Sequence, residues 1–157
     1  MMQQQRRPQY EDASSLEAER AAIALVERAW GVGSFKLPIA YQIDYALTHG
    51  TTIRAFVEVK CRSCKSDAYR DYMSSVHKVD AAMRLHHVTG LPVFLVVEWL
   101  DQIGWLDIGK ALRGKAYKVT IGGRIDRDDS ADREPVVLFP IADFVRFTAV
   151  DSSRQAA

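Results

Sequence analysis

Residues 53–62, Ile-Arg-Ala-Phe-Val-Glu-Val-Lys-Cys-Arg, restrict what this chain can fold into more than any other segment. An extended strand turns successive side chains to opposite faces. Val57, Val59 and Cys61 therefore share one face, and Phe56, Glu58, Lys60 and Arg62 share the other. The first face is apolar and is expected to join the core. The second carries a carboxylate and an ammonium two residues apart, aimed the same way. The run before it, 38–47, reads as a second strand, with Ile43, Tyr45 and Leu47 on one face and Gln42, Asp44 and Ala46 on the other. Thr48-His49-Gly50-Thr51 between the two runs is a hairpin signal with its glycine in the turn. A two-residue loop at His49-Gly50 pairs Thr48 with Thr51 and sets Asp44 and Glu58 on opposite faces. A three-residue loop, or an equivalent bulge, sets both carboxylates on one face. Only that register also places Ile43, Tyr45 and Leu47 beside Val57 and Val59. Packing the core is thus expected to bring Asp44, Glu58 and Lys60 together.

A third acid comes from the first helix. Ser14 and Glu17 have capping-box spacing and open a helix that runs to Trp30, closed by Gly31-Val32-Gly33. Its apolar stripe is Leu16, Ile23, Val26 and Trp30, and Glu19 lies within it. An ionised carboxylate there is costly unless it is paired or bound to metal.

Downstream, the polar stretch 63–68 leads to a second helix over 69–88, with the stripe Tyr69, Tyr72, Met73, Val76, Val79 and Met83, stopped by Gly90-Leu91-Pro92. The continuous apolar run 93–99 has the length and composition of a buried central strand. A shorter strand is expected over 103–108, peripheral strands over 116–125 and 135–139 around an exposed loop at 126–134, and a short closing helix over 141–147. The fold class is α/β (α+β), a mixed sheet flanked by helices. A chain of 157 residues suits one core, so a single domain is expected over 13–150, with flexible tails at 1–12 and 151–157.

Composition narrows the function classes. A hydrophobic share of 48% marks a folded chain, and a net charge of +1 means that any nucleic-acid face must be a local patch. No apolar run approaches a membrane span. The Gln- and Arg-rich N-terminus lacks a signal core, and two cysteines are too few for a disulfide scaffold, so a cytoplasmic setting is expected.

Carboxylates converging with a lysine suit metal-assisted phosphodiester hydrolysis. Hard oxygen ligands hold Mg²⁺ or Mn²⁺, and a nearby lysine orients water or offsets charge on the phosphate. Ile43-Asp44-Tyr45 on one strand and Val57-Glu58-Val59-Lys60 on the next resemble the PD-(D/E)xK nuclease superfamily, which includes restriction endonucleases, Holliday-junction resolvases and phage nucleases. The resemblance covers residues 14–108, with Ile43 in the motif's proline position. It implies a restriction-endonuclease-like core in the order α-β-β-β-α-β. It also implies Asp44 and Glu58 as metal ligands, the Val59 carbonyl as a further ligand, Lys60 as catalytic and Glu19 as the helix acid. The implied activity is Mg²⁺-dependent nuclease action on DNA, with Mn²⁺ as substitute and RNA as the alternative substrate. A phage or repair and recombination type selective for DNA structure is implied, acting as a homodimer, in the bacterial host cytoplasm if phage-encoded.

Lys36, Arg62, Lys65 and Arg70 surround the motif in sequence and are expected to contact the substrate backbone. Arg113, Lys115, Lys118, Arg124 and Arg127 form a second basic cluster. The resemblance also implies that Lys78 and Ser75 approach the site, since related enzymes often use polar residues of this helix, although Lys78 falls opposite the helix stripe, which favours solvent. Two other readings compete. One is a nucleic-acid-binding module that keeps the acids without turnover. The other is a zinc-binding interaction protein built on Cys61 and Cys64 with His77, His86 or His87, weakened by the lack of a second Cys-x-x-Cys.

Overall fold

In the computed structural model, which describes residues 13–122 and 133–147, the chain opens with helix α1, Ala13–Trp30. Ala22, Ile23 and Val26 are its buried face, and Trp30 packs beside Phe94 and Trp105. A short strand, β1 (Gly33–Lys36), and a 3-10 turn, Ile39–Tyr41, follow. The hairpin is β2 (Tyr45–His49) and β3 (Thr52–Cys61). After it come β4 (Asp71–Ser75), α2 (Val76–Thr89), β5 (Val93–Glu98) and β6 (Ile103–Asp107). Helix α3 (Ile108–Gly114), β7 (Lys118–Gly122), β8 (Glu134–Pro140) and β9 (Val145–Arg146) complete the described chain. The expected tails at 1–12 and 151–157, most of the 126–134 loop, Arg124 and Arg127 lie outside the described residues.

Six strands form a mixed sheet in the order β1-β2-β3-β5-β6-β9, with β3 and β5 parallel at its centre. A smaller antiparallel sheet has the order β4-β8-β7. Both faces of the large sheet are covered. On one, α1 packs over Tyr45, Leu47, Val57, Val59 and Val96. On the other, α2 and the small sheet pack over Phe56, Val93, Leu95 and Val97, with Phe139 fully buried. This explains the continuous apolar run of β5, since a strand buried on both faces has no side left to solvate.

The expected fold class and core order are found, while several boundaries differ. The 38–47 run is a strand only from Tyr45, and β1 precedes it at residues to which no strand had been assigned, although the implied core order calls for a third one. The helix expected over 69–88 begins at Val76. Residues 71–75 instead pair with β8, turning Tyr72 and Ser74 inward and leaving Met73 about half exposed. The spacing of Tyr69, Tyr72 and Met73 fits a helical stripe, but pairing to a neighbouring strand overrides such local preference. Helix α3 was not foreseen, although Asp107 caps it by accepting from the Lys110 amide at 2.9 Å. Residues 141–147 hold a 3-10 turn and β9 rather than a closing helix.

The hairpin register satisfies the expected condition by the bulge route. His49 pairs with Thr52 and Thr48 with Ile53 across a two-residue turn. A bulge between Leu47 and Thr48 then shifts the ladder, so Leu47 pairs with Ala55 and Tyr45 with Val57. The extra residue restores the parity that sets Tyr45 and Leu47 beside Val57. Ile43 corrects the expectation for its face. It lies outside β2 and packs with the α2 layer, not with Tyr45 and Leu47.

Candidate active site

Three elements meet around the C-terminal half of β3. Asp44 sits just before β2, where the chain turns out of the 3-10 segment. Its backbone carbonyl accepts from the Leu37 amide at 2.8 Å, tying the two ends of that connection together. Its Oδ2 accepts from the Val59 amide at 2.8 Å. The carboxylate is thereby fixed to the strand that carries Glu58 and Lys60, and it is buried. The Val59 amide is therefore part of the arrangement.

Glu58 is 2% exposed. Its Oε1 lies 2.7 Å from Lys60 Nζ and 2.9 Å from Lys78 Nζ, and Lys78 also donates to Oε2 at 3.2 Å. This buried oxygen is therefore held between two ammoniums. Burial pushes the Glu58 carboxyl above its ordinary value, aided by the Asp44 charge, while Lys60 and Lys78 oppose the rise. For Lys60, desolvation works against the ammonium, but Glu58 and Asp44 together outweigh it and hold the side chain protonated well above its ordinary range.

Glu19 reaches across from α1 and pairs with Lys36 Nζ at 2.9 Å, and the same ammonium lies 3.8 Å from Asp44 Oδ1. Three carboxylates thus face three ammoniums, and Glu19, Lys36, Gln42, Asp44, Lys60 and Lys78 line a cavity of about 310 Å³. Lys36, expected as a rim contact, is instead inside the cluster, and Glu19 is held by an ion pair. Lys78 corrects the expectation of a solvated side chain. It sits in the first turn of α2 and donates to the Gln42 carbonyl at 2.7 Å. Gln42 has φ 60°, a left-handed conformation uncommon outside glycine. The stripe drawn from residue 69 gave the wrong helical phase. The signal for the right one was Ser75, whose Oγ accepts from the His77 amide at 3.2 Å and marks the helix start. Ser75 is a cap that also donates to Glu134 at 2.9 Å, and it does not line the cavity.

Of the other expected contacts, Arg62 donates to the Tyr72 hydroxyl at 3.0 Å and stacks over that ring, while Lys65 and Arg70 are exposed. Lys115 is paired with Asp143 at 2.5 Å. Cys61 is exposed at the end of β3, not in the core, and donates to Glu98 at 3.5 Å. His86 and His87 are engaged with backbone carbonyls of Leu91 and Met83. Among the described residues no group of three or more His, Cys, Asp or Glu is placed to hold a metal ion, so the zinc reading finds no ligand set. Two buried hard carboxylates, Asp44 and Glu58, still fit Mg²⁺, which keeps several waters and needs only one or two protein carboxylates.

A family model described as "Phage putative PDDEXK endonuclease" matches residues 5–147. No curated protein matches the chain. Among solved structures, Hjc from Archaeoglobus fulgidus, a Holliday junction resolvase from an archaeal hyperthermophile, superposes with TM-score 0.58 at 12% identity, covering 88% of this chain and 96% of that one. D212, a nuclease from a fusselovirus, gives TM-score 0.48 at 14% identity, covering 87% and 85%. At such identities the Hjc likeness is one of fold. The family match spans nearly the whole sequence, and the chain belongs to the phage PDDEXK endonuclease family.

Proposed function

We propose that this nuclease hydrolyses DNA phosphodiesters with a divalent cation, using Asp44, Glu58 and Lys60, and that branched DNA is its preferred substrate. One observation carries the reading. Asp44 is anchored on the Val59 amide at 2.8 Å, which sets it beside the carboxylate that Lys60 meets at 2.7 Å. Asp44 and Glu58, with the Val59 carbonyl, would hold Mg²⁺ or Mn²⁺, and Glu19 stands behind them as counter-ion of Lys36. When bound, such an ion polarises the phosphate and lowers the pKa of bound water.

The chain's own groups do the rest. The protonated Lys60 offsets charge that grows on the phosphate and orients the attacking water. Lys36 moderates repulsion between Glu19 and Asp44. Lys78 holds Glu58 and restrains the Gln42 turn beside the cavity. Arg62, Lys65 and Arg70 position the backbone of the bound strand. Branched DNA is chosen because the similar fold in Hjc belongs to a protein named a Holliday junction resolvase. The reading extends to a homodimer acting in a bacterial cytoplasm, the setting that a phage family suggests. Supercoiled, linear, single-stranded and branched DNA, and RNA, incubated with Mg²⁺ or with EDTA, test it. Cleavage is expected with Mg²⁺ only, fastest on branched DNA. Equal cleavage in EDTA, or cleavage of RNA alone, would overturn the reading.

A further inference from the structure

A second cavity, of about 490 Å³, is lined by Tyr72 together with residues that follow β3. Arg62, one residue past the end of β3 and two beyond Lys60, stands on its wall, and its amide donates to the Glu98 carbonyl at 2.8 Å. Two residues of extended chain span at most about 7 Å, so the Lys60 end of β3 and this wall are close along the backbone, and Tyr72, which also lines the cavity, interacts electrostatically with Lys60. Trp99 is buried in its wall at 5% exposure, whereas Tyr69 and Met73 are 70% and 49% exposed at its mouth. Large apolar side chains standing free around a cavity with a buried aromatic floor mark a binding surface. Two guanidiniums, Arg62 and Arg70, flank them, and Asp71 adds one hydrogen-bond acceptor. Arg62 is already oriented by the Tyr72 ring and hydroxyl. An aromatic and apolar slot edged by arginines matches the make-up of single-stranded nucleic-acid sites, where rings stack on bases and cations follow the backbone.

We propose that this cavity takes an unpaired nucleobase of the DNA, with Tyr69 stacking on the base and Arg62 and Arg70 holding the adjoining phosphates. The proposal rests on the nuclease reading and gives it a physical source of selectivity. A base inside an intact duplex stays stacked and paired and cannot enter. A base at a branch, flap or mismatch enters at little cost. Met73 and Trp99 then cover the face of the base that Tyr69 does not.

The test is equilibrium binding by the full chain, with Ca²⁺ in place of Mg²⁺ and strand integrity checked on gels. Two DNAs of equal length are compared, one fully paired and one with a short unpaired segment carrying 2-aminopurine. The wild-type chain is expected to bind the second more tightly and to quench its fluorescence. Tyr69→Ala, at an exposed position that does not threaten folding, is expected to weaken that binding about 5- to 100-fold and to leave the paired duplex unchanged. Tyr69→Phe keeps the ring and is expected to behave as wild type. Equal affinity of Tyr69→Ala and wild type for the unpaired DNA, or equal loss on both DNAs, overturns the base site. The nuclease reading fails separately, by absence of cleavage in Mg²⁺ by the wild-type chain.

Discussion

Glu58 and Lys60 were legible as a pair because a strand's side-chain period of two is set by backbone geometry, whatever surrounds it. Their surroundings were not legible, since burial and the approach of Lys36 and Lys78 come from other elements. Glu19 shows the middle case. Its place in an apolar stripe required a partner, and the structure supplies Lys36 at 2.9 Å instead of leaving the acid free. Cys61 was assigned to the core by the same alternation that placed Glu58, and it is exposed because β3 outlasts its cover there. Its thiol is nonetheless pushed up to about 11, by partial burial first and then by the Glu98 carboxylate that accepts its hydrogen bond. The thiolate is the nucleophile, so a raised pKa means slow reaction at neutral pH. In a Cys64→Ser variant, iodoacetamide should alkylate Cys61 slowly at pH 8, with the rate reaching half its maximum near pH 11. Glu98→Gln should move that midpoint down. A midpoint at an ordinary thiol value in the parent would contradict the assigned contact.

At the scale of elements, the hairpin and the central strand were legible and the connections were not. The apolar alternation of β2 against β3 demanded an odd offset, and the bulge between Leu47 and Thr48 provides it. The apolar spacing of Tyr69, Tyr72 and Met73 favours a helix locally, so the strand at 71–75 was not legible there. The pairing of β4 with β8, more than sixty residues downstream, decides it. That misplaced start of α2 is what concealed Lys78. With the helix beginning at Val76, Lys78 falls in its first turn and bridges Glu58 to the Gln42 carbonyl. Lys78→Ala is therefore expected to keep the fold, since Lys60 still pairs with Glu58, while loosening the carboxylate and the turn beside it. Partners of this kind are worth about 10- to 100-fold in activity or metal affinity. Steady-state cleavage together with a thermal melt checks this, and a variant that melts as wild type and also cuts as wild type would show that the bridge is idle.

Across the whole molecule, a sheet covered on both faces gives the site its rigidity. The α1 layer delivers Glu19, the α2 layer delivers Lys78, and the connection before β2 delivers Asp44, all to one end of β3. None of the described helices is long and apolar enough to cross a membrane. The measurement that bears most directly on this account is Mg²⁺-dependent cleavage of branched DNA by wild type, Asp44→Ala and Lys60→Ala, each first shown to be folded by a cooperative melt. Loss of at least about 100-fold in both variants is expected, in line with the removal of a metal ligand or a charge-stabilising donor. Folded variants that cut at the wild-type rate would contradict the assignment of the centre to Asp44, Glu58 and Lys60.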